Sequence, residues 1–236
     1  MNAHVVVTDI ERADAAAVAA LAEFGSATVH EALGRVGYAG PGIRPIQQGA
    51  RIAGTAITAQ VAPGDNLMVH AAIEQAGEGD VIVVVPTTDS AFGFIGELMA
   101  TQMQVRGVRG YVTTGGVRDT AELRAMGFPA WARHVSSQGT VKDTAGAVNV
   151  PVVLGGVVVN PGDAVVADDD GVTVVPRERV GEAVDAARAR AARESANRAR
   201  YAAGELSMDL NGLRPVLERL GVRYVTQVEF EAGDGR

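Results

Sequence analysis

The sequence of 236 residues contains no cysteine. Disulfide bonds, thiolate nucleophiles, iron–sulfur clusters and thiolate-bound zinc are therefore excluded. Lysine is almost as scarce, because Lys142 is the only lysine among 21 basic residues. A Schiff-base mechanism has this one candidate, and its acidic neighbour Asp143 does not provide the apolar or cationic setting that activates a lysine nucleophile.

Aromatic residues are also few, since Phe, Trp and Tyr make up 4% of the chain. Acidic residues outnumber basic ones by 28 to 21, which gives a formal net charge of −7. Nucleic-acid binding normally depends on a basic surface, often combined with aromatic side chains that stack on bases. The composition therefore predicts that the protein has no nucleic-acid partner.

Long hydrophobic runs are missing as well. The longest apolar stretches, Val81–Val85 and Val152–Val159, have the length of strands and fall below the roughly 18 to 20 residues that a membrane-spanning helix needs. The first residues, Met1–Val5, lack the basic segment followed by an apolar segment that marks a secretory signal. We therefore expect a cytoplasmic protein with no membrane partner.

The composition that is present is typical of a globular α/β protein, with 47% hydrophobic and 21% charged residues and alternating segments of helical and strand periodicity. The predicted strands include Ile52–Val61, Val81–Val85, Val108–Thr114 and a short C-terminal segment, Arg223–Val225. The predicted helices are Glu11–Glu23, Ser26–Arg35, Leu67–Gln75, Glu97–Arg106, Thr120–Met126, Glu178–Ala203 and Leu213–Leu220. Thr28 and Glu31 are predicted to form a capping box.

No linker rich in proline and serine divides the chain. We expect one α/β domain over residues 1–180, followed by a C-terminal helical arm over residues 181–236. The alanine face of the long helix in the arm, formed by Ala183, Ala187 and Ala191, fits close packing against another subunit. It fits equally well an ordinary surface helix with ion pairs between successive turns.

Several common functional motifs are absent. No Gly-x-Gly-x-x-Gly follows a strand, and the phosphate-binding loop and nucleophile-elbow sequences are missing. The four histidines, His4, His30, His70 and His134, are never four residues apart, so each is interpreted as a structural or surface histidine rather than a zinc ligand. The remaining candidate metal ligands are the carboxylate oxygens of Asp and Glu, and these suit Mg²⁺ or Mn²⁺.

Two acidic stretches contain such ligands. Asp168–Gly171 fits a tight turn between two strands better than a metal site, because Asp and Gly are favoured in turns for backbone reasons. In Gly115–Glu122, Asp119 and Glu122 fit an N-terminal cap of the following helix. Arg118 stands at the same glycine-rich strand-to-helix junction, where α/β proteins commonly hold anionic ligands, so a structural and a functional interpretation both stay open.

The spacing of Gly96-Glu97, a further 20 residues, and Arg118-Asp119 resembles the signature of the RraA-like superfamily. Within it, the chain is most similar to the class II, divalent-metal pyruvate aldolases that cleave 4-hydroxy-4-methyl-2-oxoglutarate and 4-carboxy-4-hydroxy-2-oxoadipate. Further similar segments are Thr28–Arg35, Pro63–Asn66, Gly96–Ala100, Val135–Thr140, Asn160–Asp163, Val166–Val172 and Gly221–Val225. The resemblance therefore covers nearly the whole chain.

The resemblance implies an RraA-like α/β fold, with a central β-sandwich or barrel flanked by helices in a catalytic domain of residues 1–180. It also implies assembly into trimers or hexamers, with the arm of residues 181–236 at the subunit interface. The implied reaction is a metal-dependent retro-aldol cleavage that releases pyruvate, with oxaloacetate decarboxylation as a side activity. The implied role is in the breakdown of protocatechuate or gallate.

The same resemblance implies a site shared between subunits. Asp119 is expected to bind Mg²⁺ or Mn²⁺ directly, and Arg118 to contact the keto oxygen of a pyruvate unit. Glu97, at a position where related proteins often have Asp, and Glu194 of a neighbouring subunit are expected to hold metal-bound waters, and which of the two assists the base is left open. The backbone N–H groups expected to bind the substrate carboxylate are those of Gly96, Glu97, Leu98 and Met99.

Two other functions fit parts of the sequence. Non-enzymatic regulators of ribonuclease E share much of the signature, so one alternative is a regulator that binds a ribonuclease or helicase partner without chemistry. The long C-terminal tail that carries Glu194 favours the aldolases over these regulators. A swivelling domain that handles carbohydrates or phosphates is a third hypothesis, weakened by the absence of a phosphate-binding loop and a placed phosphohistidine.

Overall fold

A computed structural model describes residues 4–233 of the chain. The strands are β1 (Val5–Val6), β2 (Arg44–Pro45), β3 (Ile52–Val61), β4 (Asp80–Pro86), β5 (Gly93–Ile95), β6 (Gly110–Val117), β7 (Ala130–Val135), β8 (Ala147–Val148), β9 (Val152–Leu154), β10 (Val157–Val159), β11 (Ala164–Asp168) and β12 (Gly171–Val175). The helices are α1 (Ala15–Leu21), α2 (Ser26–Ala32), α3 (Leu67–Gln75), α4 (Glu97–Val105), α5 (Thr120–Ala125), α6 (Val180–Ala202), α7 (Ser207–Leu210), α8 (Arg214–Arg219) and α9 (Gln227–Glu231). The chain divides between Ala189 and Arg190 into two compact units.

The larger unit is built on one mixed sheet, in which β1, β8, β3, β4, β6, β7 and β2 follow one another. Its central strands β3, β4, β6 and β7 run parallel, and β5 pairs parallel with the far part of β6. β11 pairs antiparallel with both β3 and β12. The predicted α/β fold is confirmed, and the central β-sandwich or barrel of the prediction takes the form of this large mixed sheet flanked by helices. The carboxyl ends of parallel strands meet at one edge of such a sheet, where α/β proteins bind their ligands.

Strand β4 shows why both faces of this sheet are covered. Its side chains alternate in direction, so Ile82 and Val84 join one hydrophobic cluster while Val81 and Val83 join another. The first cluster includes residues of α3, α4 and α5, and the second includes residues of β9 to β12. Burial on both faces is typical of parallel strands, and it explains the unbroken apolar run that predicts this strand from the sequence.

Helix α2 begins at Ser26, and its N-cap residue is Gly25. Thr28 therefore lies inside the helix, and the predicted capping box of Thr28 and Glu31 is wrong. The carboxylate of Asp168, at the end of β11, instead accepts hydrogen bonds from the backbone N–H of Ser26 at 2.8 Å and from the Ser26 hydroxyl. A side chain distant in sequence satisfies this helix end, which no local pattern can predict.

The Asp168–Gly171 stretch is the tight turn that the sequence predicts. Asp168 pairs with Gly171 at the end of the β11–β12 hairpin. The main-chain carbonyl of Asp168 accepts a hydrogen bond from the indole Nε1–H of the fully buried Trp131 at 2.8 Å. The residue therefore joins the hairpin, helix α2 and the core.

The observed bounds of β3, α3 and α1 can be compared with the predicted ones. The predicted strand Ile52–Val61 and helix Leu67–Gln75 are confirmed with unchanged bounds. Helix α1 begins at Ala15 rather than at Glu11, because the side chain of Asp14 accepts a hydrogen bond from the backbone N–H of Ala17 and caps the helix there.

The first turns of α6 pack against the larger unit's own core. Ala183 is fully buried in a third hydrophobic cluster together with Val180 and Val184. Ala183, the first residue of the predicted alanine face, therefore packs against residues of its own chain and not against another subunit. Helix α6 begins at Val180, so the predicted domain boundary after that residue falls in the first turn of the helix, and it stays a prediction.

The smaller unit, from Arg190 onward, contains the rest of α6 and helices α7, α8 and α9. Thr226 and Glu229 form a capping box at the start of α9. The predicted strand segment Arg223–Val225 is wrong, because these residues are irregular and no strand of the described chain pairs with them.

None of the helices described within residues 4–233 combines the length and the apolar composition that crossing a membrane would require. The cytoplasmic location stays a prediction.

We expect Asp168→Ala to lower the free energy of unfolding by about 2 kcal/mol, because the buried N–H and hydroxyl of Ser26 lose their charged acceptor. Urea unfolding followed by tryptophan fluorescence measures the change. Asp170→Ala, an exposed residue of the same turn, is the matched control and should stay within about 0.5 kcal/mol of the unmodified protein. Equal losses in the two variants would contradict the role of Asp168.

Candidate active site

The candidate site forms where two adjacent parallel strands end. β5 and β6 pair so that Ile95 lies opposite Val117, the last residue of each strand. Gly96 and Arg118 therefore leave the sheet side by side, and the backbone N–H of Arg118 donates to the carbonyl of Ile95 at 3.0 Å. The 20 residues between Glu97 and Arg118 form helix α4, the return to the sheet and strand β6. They bring the chain back to the side of Gly96.

Gly96 allows the Asp119 carboxylate to approach the start of α4. A Cβ atom at position 96 would lie 2.1 Å from Oδ2 of Asp119, which is far inside van der Waals contact. With glycine there, this oxygen accepts a hydrogen bond from the backbone N–H of Glu97 at 3.1 Å. The first half of the motif therefore needs glycine because the second half packs against it.

Asp119 precedes helix α5, but its side chain does not cap that helix. Its backbone lies in the left-handed region, with φ 52° and ψ 41°, which Asp tolerates better than most residues. The interpretation of Asp119 and Glu122 as a helix cap is therefore wrong. A carboxylate held on an uncommon backbone conformation and directed at a neighbouring loop is a feature of functional sites.

Arg118 and Glu97 complete the charged part of the site. The Nε atom of Arg118 lies 3.6 Å from Oδ2 of Asp119, and the arginine side chain is 46% exposed. Oε1 of Glu97 accepts a hydrogen bond from the hydroxyl of Thr101 at 3.2 Å. One guanidinium and two carboxylates therefore surround the start of α4.

Helix α4 points its N-terminus at the same place. The first N–H groups of a helix have no intrahelical acceptor and carry partial positive charge. In α4 the first intrahelical hydrogen bond runs from the N–H of Ala100 to the carbonyl of Gly96. The N–H groups of Leu98 and Met99 are therefore available to a ligand, and such a helix end favours a carboxylate.

An open cavity of about 490 Å³ lies over these groups. Six of the seven predicted site residues line it together, namely Gly96, Glu97, Leu98, Met99, Arg118 and Asp119. The other lining residues are Asn66, His70, Gly93, Phe94, Ile95, Thr140 and Lys142.

Glu194, the seventh predicted residue, lies on the part of α6 that belongs to the smaller unit. Its Oε1 forms an i,i+4 salt bridge with Nε of Arg190 at 2.8 Å. The predicted action of Glu194 from a neighbouring subunit stays a prediction.

Sequence reasoning did not place Asn66, His70 and Lys142 in the site. The Oδ1 atom of Asn66 and the Nε2 atom of His70 are buried and have no hydrogen-bond partner among residues 4–233. Unpaired polar atoms at a cavity are positions where a ligand or water can bond. The segments that resemble the family include Asn66, in Pro63–Asn66, but neither His70 nor Lys142, and the resemblance does not identify individual side chains.

The environment of His70 favours its neutral form. Burial lowers the pKa of this imidazole below its usual value of 6.5, and the positive charge of Lys142 lowers it further. His70 is therefore mainly neutral at pH 7, with one ring nitrogen able to accept and the other able to donate a hydrogen bond.

The residues of the cavity fit a hard divalent cation. Asp119 and Glu97 both line the cavity and carry carboxylates, and Mg²⁺ typically binds through one or two carboxylates while keeping several waters. Within the described part of the chain, no three His, Cys, Asp or Glu side chains cluster as a metal cage. Two carboxylates match the few protein ligands that such an ion needs, and both the binding of a metal and the choice of Mg²⁺ or Mn²⁺ stay predictions.

Comparison with known proteins identifies the family. A family model described as RraA-like, Aldolase/RraA, matches residues 26–174, well over half of the chain. The chain belongs to the Aldolase/RraA family. All residues that line the cavity fall inside the matched segment.

Relatives in this family carry aldolase names. A protein of Halalkalibacterium halodurans, provisionally named a 4-hydroxy-4-methyl-2-oxoglutarate aldolase, is 38% identical over 135 residues. The match covers 57% of this chain and 64% of that protein, just under two thirds of its length. The 4-hydroxy-4-methyl-2-oxoglutarate aldolase of Thermus thermophilus is 33% identical over 132 residues, which cover 56% of this chain and 80% of that protein.

A solved structure carries a different name. RraAS2 of Streptomyces coelicolor, described as an unusual member of the RNase ES inhibitor RraA protein family, is 33% identical and aligns with a TM-score of 0.73. The alignment covers 80% of this chain and 99% of that one. The Aldolase/RraA family therefore includes proteins named as enzymes and proteins named as inhibitors, and the fold alone does not separate them.

We expect the pKa of His70 in this Aldolase/RraA protein to lie below 6.5 and to rise in Lys142→Gln, because the imidazolium no longer faces a second positive charge. The value should remain below 6.5 in the variant, since burial is the larger cause. Titration of the imidazole resonances by NMR measures both values. Arg109→Gln, which removes an exposed cation outside the cavity lining, should leave the titration unchanged.

Proposed function

We propose that the protein is a class II, divalent-metal-dependent pyruvate aldolase. Its substrates are 4-carboxy-4-hydroxy-2-oxoadipate, cleaved to pyruvate and oxaloacetate, and 4-hydroxy-4-methyl-2-oxoglutarate, cleaved to two molecules of pyruvate. Oxaloacetate decarboxylation accompanies the cleavage. The observation that carries the proposal is the convergence of Arg118, the Asp119 carboxylate and the N-terminus of α4 on one cavity.

The reaction needs a place for a developing negative charge. The proton of the C4 hydroxyl is removed, C4 becomes a carbonyl, and the electrons of the C3–C4 bond move to the C2 keto oxygen of the pyruvate unit as an enolate. A bound Mg²⁺ or Mn²⁺ would act as a Lewis acid towards the carboxylate and keto oxygen of that unit. Loss of CO₂ from oxaloacetate places electrons on the same oxygen, so the same site supports both reactions.

Residues of the chain bind the cation, the keto oxygen and the carboxylate of the substrate. Asp119, whose Oδ2 accepts a hydrogen bond from the backbone N–H of Glu97, would be the direct protein ligand of the cation. Arg118 donates to the keto oxygen as its charge increases, which stabilises the transition state more than the bound substrate. The N–H groups at the start of α4, those of Leu98 and Met99, hold the carboxylate and fix its orientation.

Proton removal from the C4 hydroxyl involves a water positioned by a carboxylate. Glu97 is one candidate, since its side chain lines the cavity and is fixed in part by Thr101. Glu194 of a neighbouring subunit is the other. A homo-oligomer, trimer or hexamer, with the site at a subunit interface agrees with the position of Leu98, which is 81% exposed at the edge of the cavity.

The alternative proposal is a non-enzymatic regulator that binds a ribonuclease or helicase partner. The likeness to RraAS2 of Streptomyces coelicolor favours it. The two proposals differ in a coupled assay of pyruvate release from 4-carboxy-4-hydroxy-2-oxoadipate with Mg²⁺ and then with EDTA. Turnover that requires the metal supports the aldolase, and folded protein without turnover supports the regulator.

We expect Asp119→Ala to abolish metal-dependent turnover, because the cation loses its direct protein ligand. Steady-state pyruvate release and calorimetric Mn²⁺ binding measure the two losses. Glu122→Ala, which removes another carboxylate from the first turn of α5, is the matched control and should keep its activity. Near-normal turnover in Asp119→Ala would contradict the proposed ligand.

We expect Arg118→Lys to lower kcat by about 100-fold, because an ammonium group cannot reproduce the planar, multiply donating guanidinium beside the keto oxygen. KM should change much less, since the carboxylate is held by the α4 backbone. Initial rates over a range of substrate concentrations separate the two constants. An unchanged kcat would remove Arg118 from the mechanism.

A further inference from the structure

A second cavity, of about 770 Å³, lies at the edge of the sheet that strand β2 forms. Its lining consists of residues 44–48, Arg124 of α5 and Asp169 of the turn between β11 and β12. Among the residues that the structure describes, it shares none of its lining with the candidate site. This cavity, here called the arginine cleft, therefore has no part in the proposed reaction.

Arg44 gives the arginine cleft a positive charge that no acidic side chain neutralises. The residue is exposed and lies on β2 opposite Ala132 of β7. Its side chain forms no hydrogen bond or ion pair with any residue between 4 and 233. Arg133, on the adjacent strand, instead pairs with Asp89 at 3.3 Å. In a chain with more acidic than basic residues, the guanidinium of Arg44 is therefore left available to a ligand.

Arg124 is held in place by one bond and keeps its other donors. Its Nε donates to the carbonyl of Ile46 at 2.6 Å, which joins the last turn of α5 to the residue after β2. A guanidinium carries five N–H donors, and this bond uses one of them. The two Nη groups have no partner within the described part of the chain. The bond therefore fixes a fork of free donors at the cleft.

The loop after β2 forms a fixed wall of the arginine cleft. Oε1 of Gln47 accepts a hydrogen bond from the backbone N–H of Ala130 at 3.0 Å. Both carboxylate oxygens of Asp169 accept from the backbone N–H of Gly49 at 3.0 Å. Nε2 of Gln47 is buried and has no partner among residues 4–233, so it is a further donor that a ligand or water can satisfy.

The arginine cleft has a net positive charge, because two cations and one anion, Arg44, Arg124 and Asp169, line it. The planar guanidinium offers parallel N–H donors that match the two oxygens of a carboxylate. A single carboxylate neutralises the excess charge. A doubly charged phosphate loses more hydration energy on binding, and no further cation of the described chain lines the cleft to offset that loss. The charges therefore favour a carboxylate over a phosphate.

We propose that the arginine cleft is a binding site for a small-molecule carboxylate. The carboxylate lies between the guanidinium groups of Arg44 and Arg124 and accepts charge-assisted hydrogen bonds from both, which are stronger than bonds between neutral groups. The inference is independent of the proposed function, because no residue of the cleft takes part in that reaction.

The test compares two ligands that differ in one charge. Succinamate carries one carboxylate and one amide, and succinamide carries two amides on the same carbon chain. Calorimetry on the full chain gives a Kd for each, in buffer freed of divalent cations by a chelating resin so that no metal in the candidate site binds the carboxylate. We expect succinamate to bind the unmodified protein about 10-fold more tightly than succinamide.

Arg44→Gln is the main variant, because the Arg44 side chain makes no bond in the described structure that its loss would break. We expect its Kd for succinamate to rise about 10-fold, with an unchanged Kd for succinamide. Arg109→Gln removes the same charge from an exposed arginine outside the arginine cleft and is the matched control. Arg118→Gln removes the guanidinium of the candidate site. Both should keep the Kd of the unmodified protein for succinamate.

Equal Kd values for the two ligands, or a Kd for succinamate that stays the same in Arg44→Gln, would overturn the proposal. A Kd that rises in Arg118→Gln and not in Arg44→Gln would do the same, because it places the carboxylate in the candidate site. Tighter binding of inorganic phosphate than of succinamate would overturn the choice of a carboxylate. The proposed function is tested separately by pyruvate release, which none of these measurements uses.

Discussion

The site depends on one contact, the approach of the Asp119 carboxylate to the backbone at Gly96 and Glu97. The pairing of Ile95 with Val117 makes this contact possible. Because the two strands end side by side there, Gly96 and Arg118-Asp119 leave the sheet next to each other. Glycine at position 96 is then required by space, and the left-handed backbone of Asp119 turns the chain into α5 without using its carboxylate as a cap. Charge, helix N-terminus and cavity follow from this arrangement.

The sequence predicts much of the fold because its strongest patterns are local. Strand Ile52–Val61 and helix Leu67–Gln75 have the predicted bounds, and the apolar run of β4 reports burial on both faces of the sheet. The wrong predictions concern segments whose structure depends on a group that is distant in sequence. Asp168 satisfies the start of α2 from another strand, so the Thr28 capping box never forms, and Arg223–Val225 has strand-like residues without a pairing strand in the described chain.

For the site, the sequence predicts the motif but not the rest of the cavity. Six of the predicted residues line one cavity, because the family resemblance concentrates on the groups nearest the proposed chemistry. Lys142 and His70 gave no signal of their own, since a single lysine and a single histidine are compatible with many surroundings. In the structure both line the same cavity, and the hydrogen bonds of Asp65 to residues 143 and 144 hold the chain after Lys142 against the start of α3.

The pairing of β5 with β6 also determines which changes in length the protein can tolerate. A residue inserted within either strand would shift the register and reverse the direction of the side chains that follow, separating Gly96 from Asp119. A residue inserted in the return between α4 and β6, near the exposed Arg106, would lie outside both strands and leave their register unchanged. The distance of 20 residues between the two halves of the motif is therefore a property of the crossover, and the candidate site requires only that both strands end together.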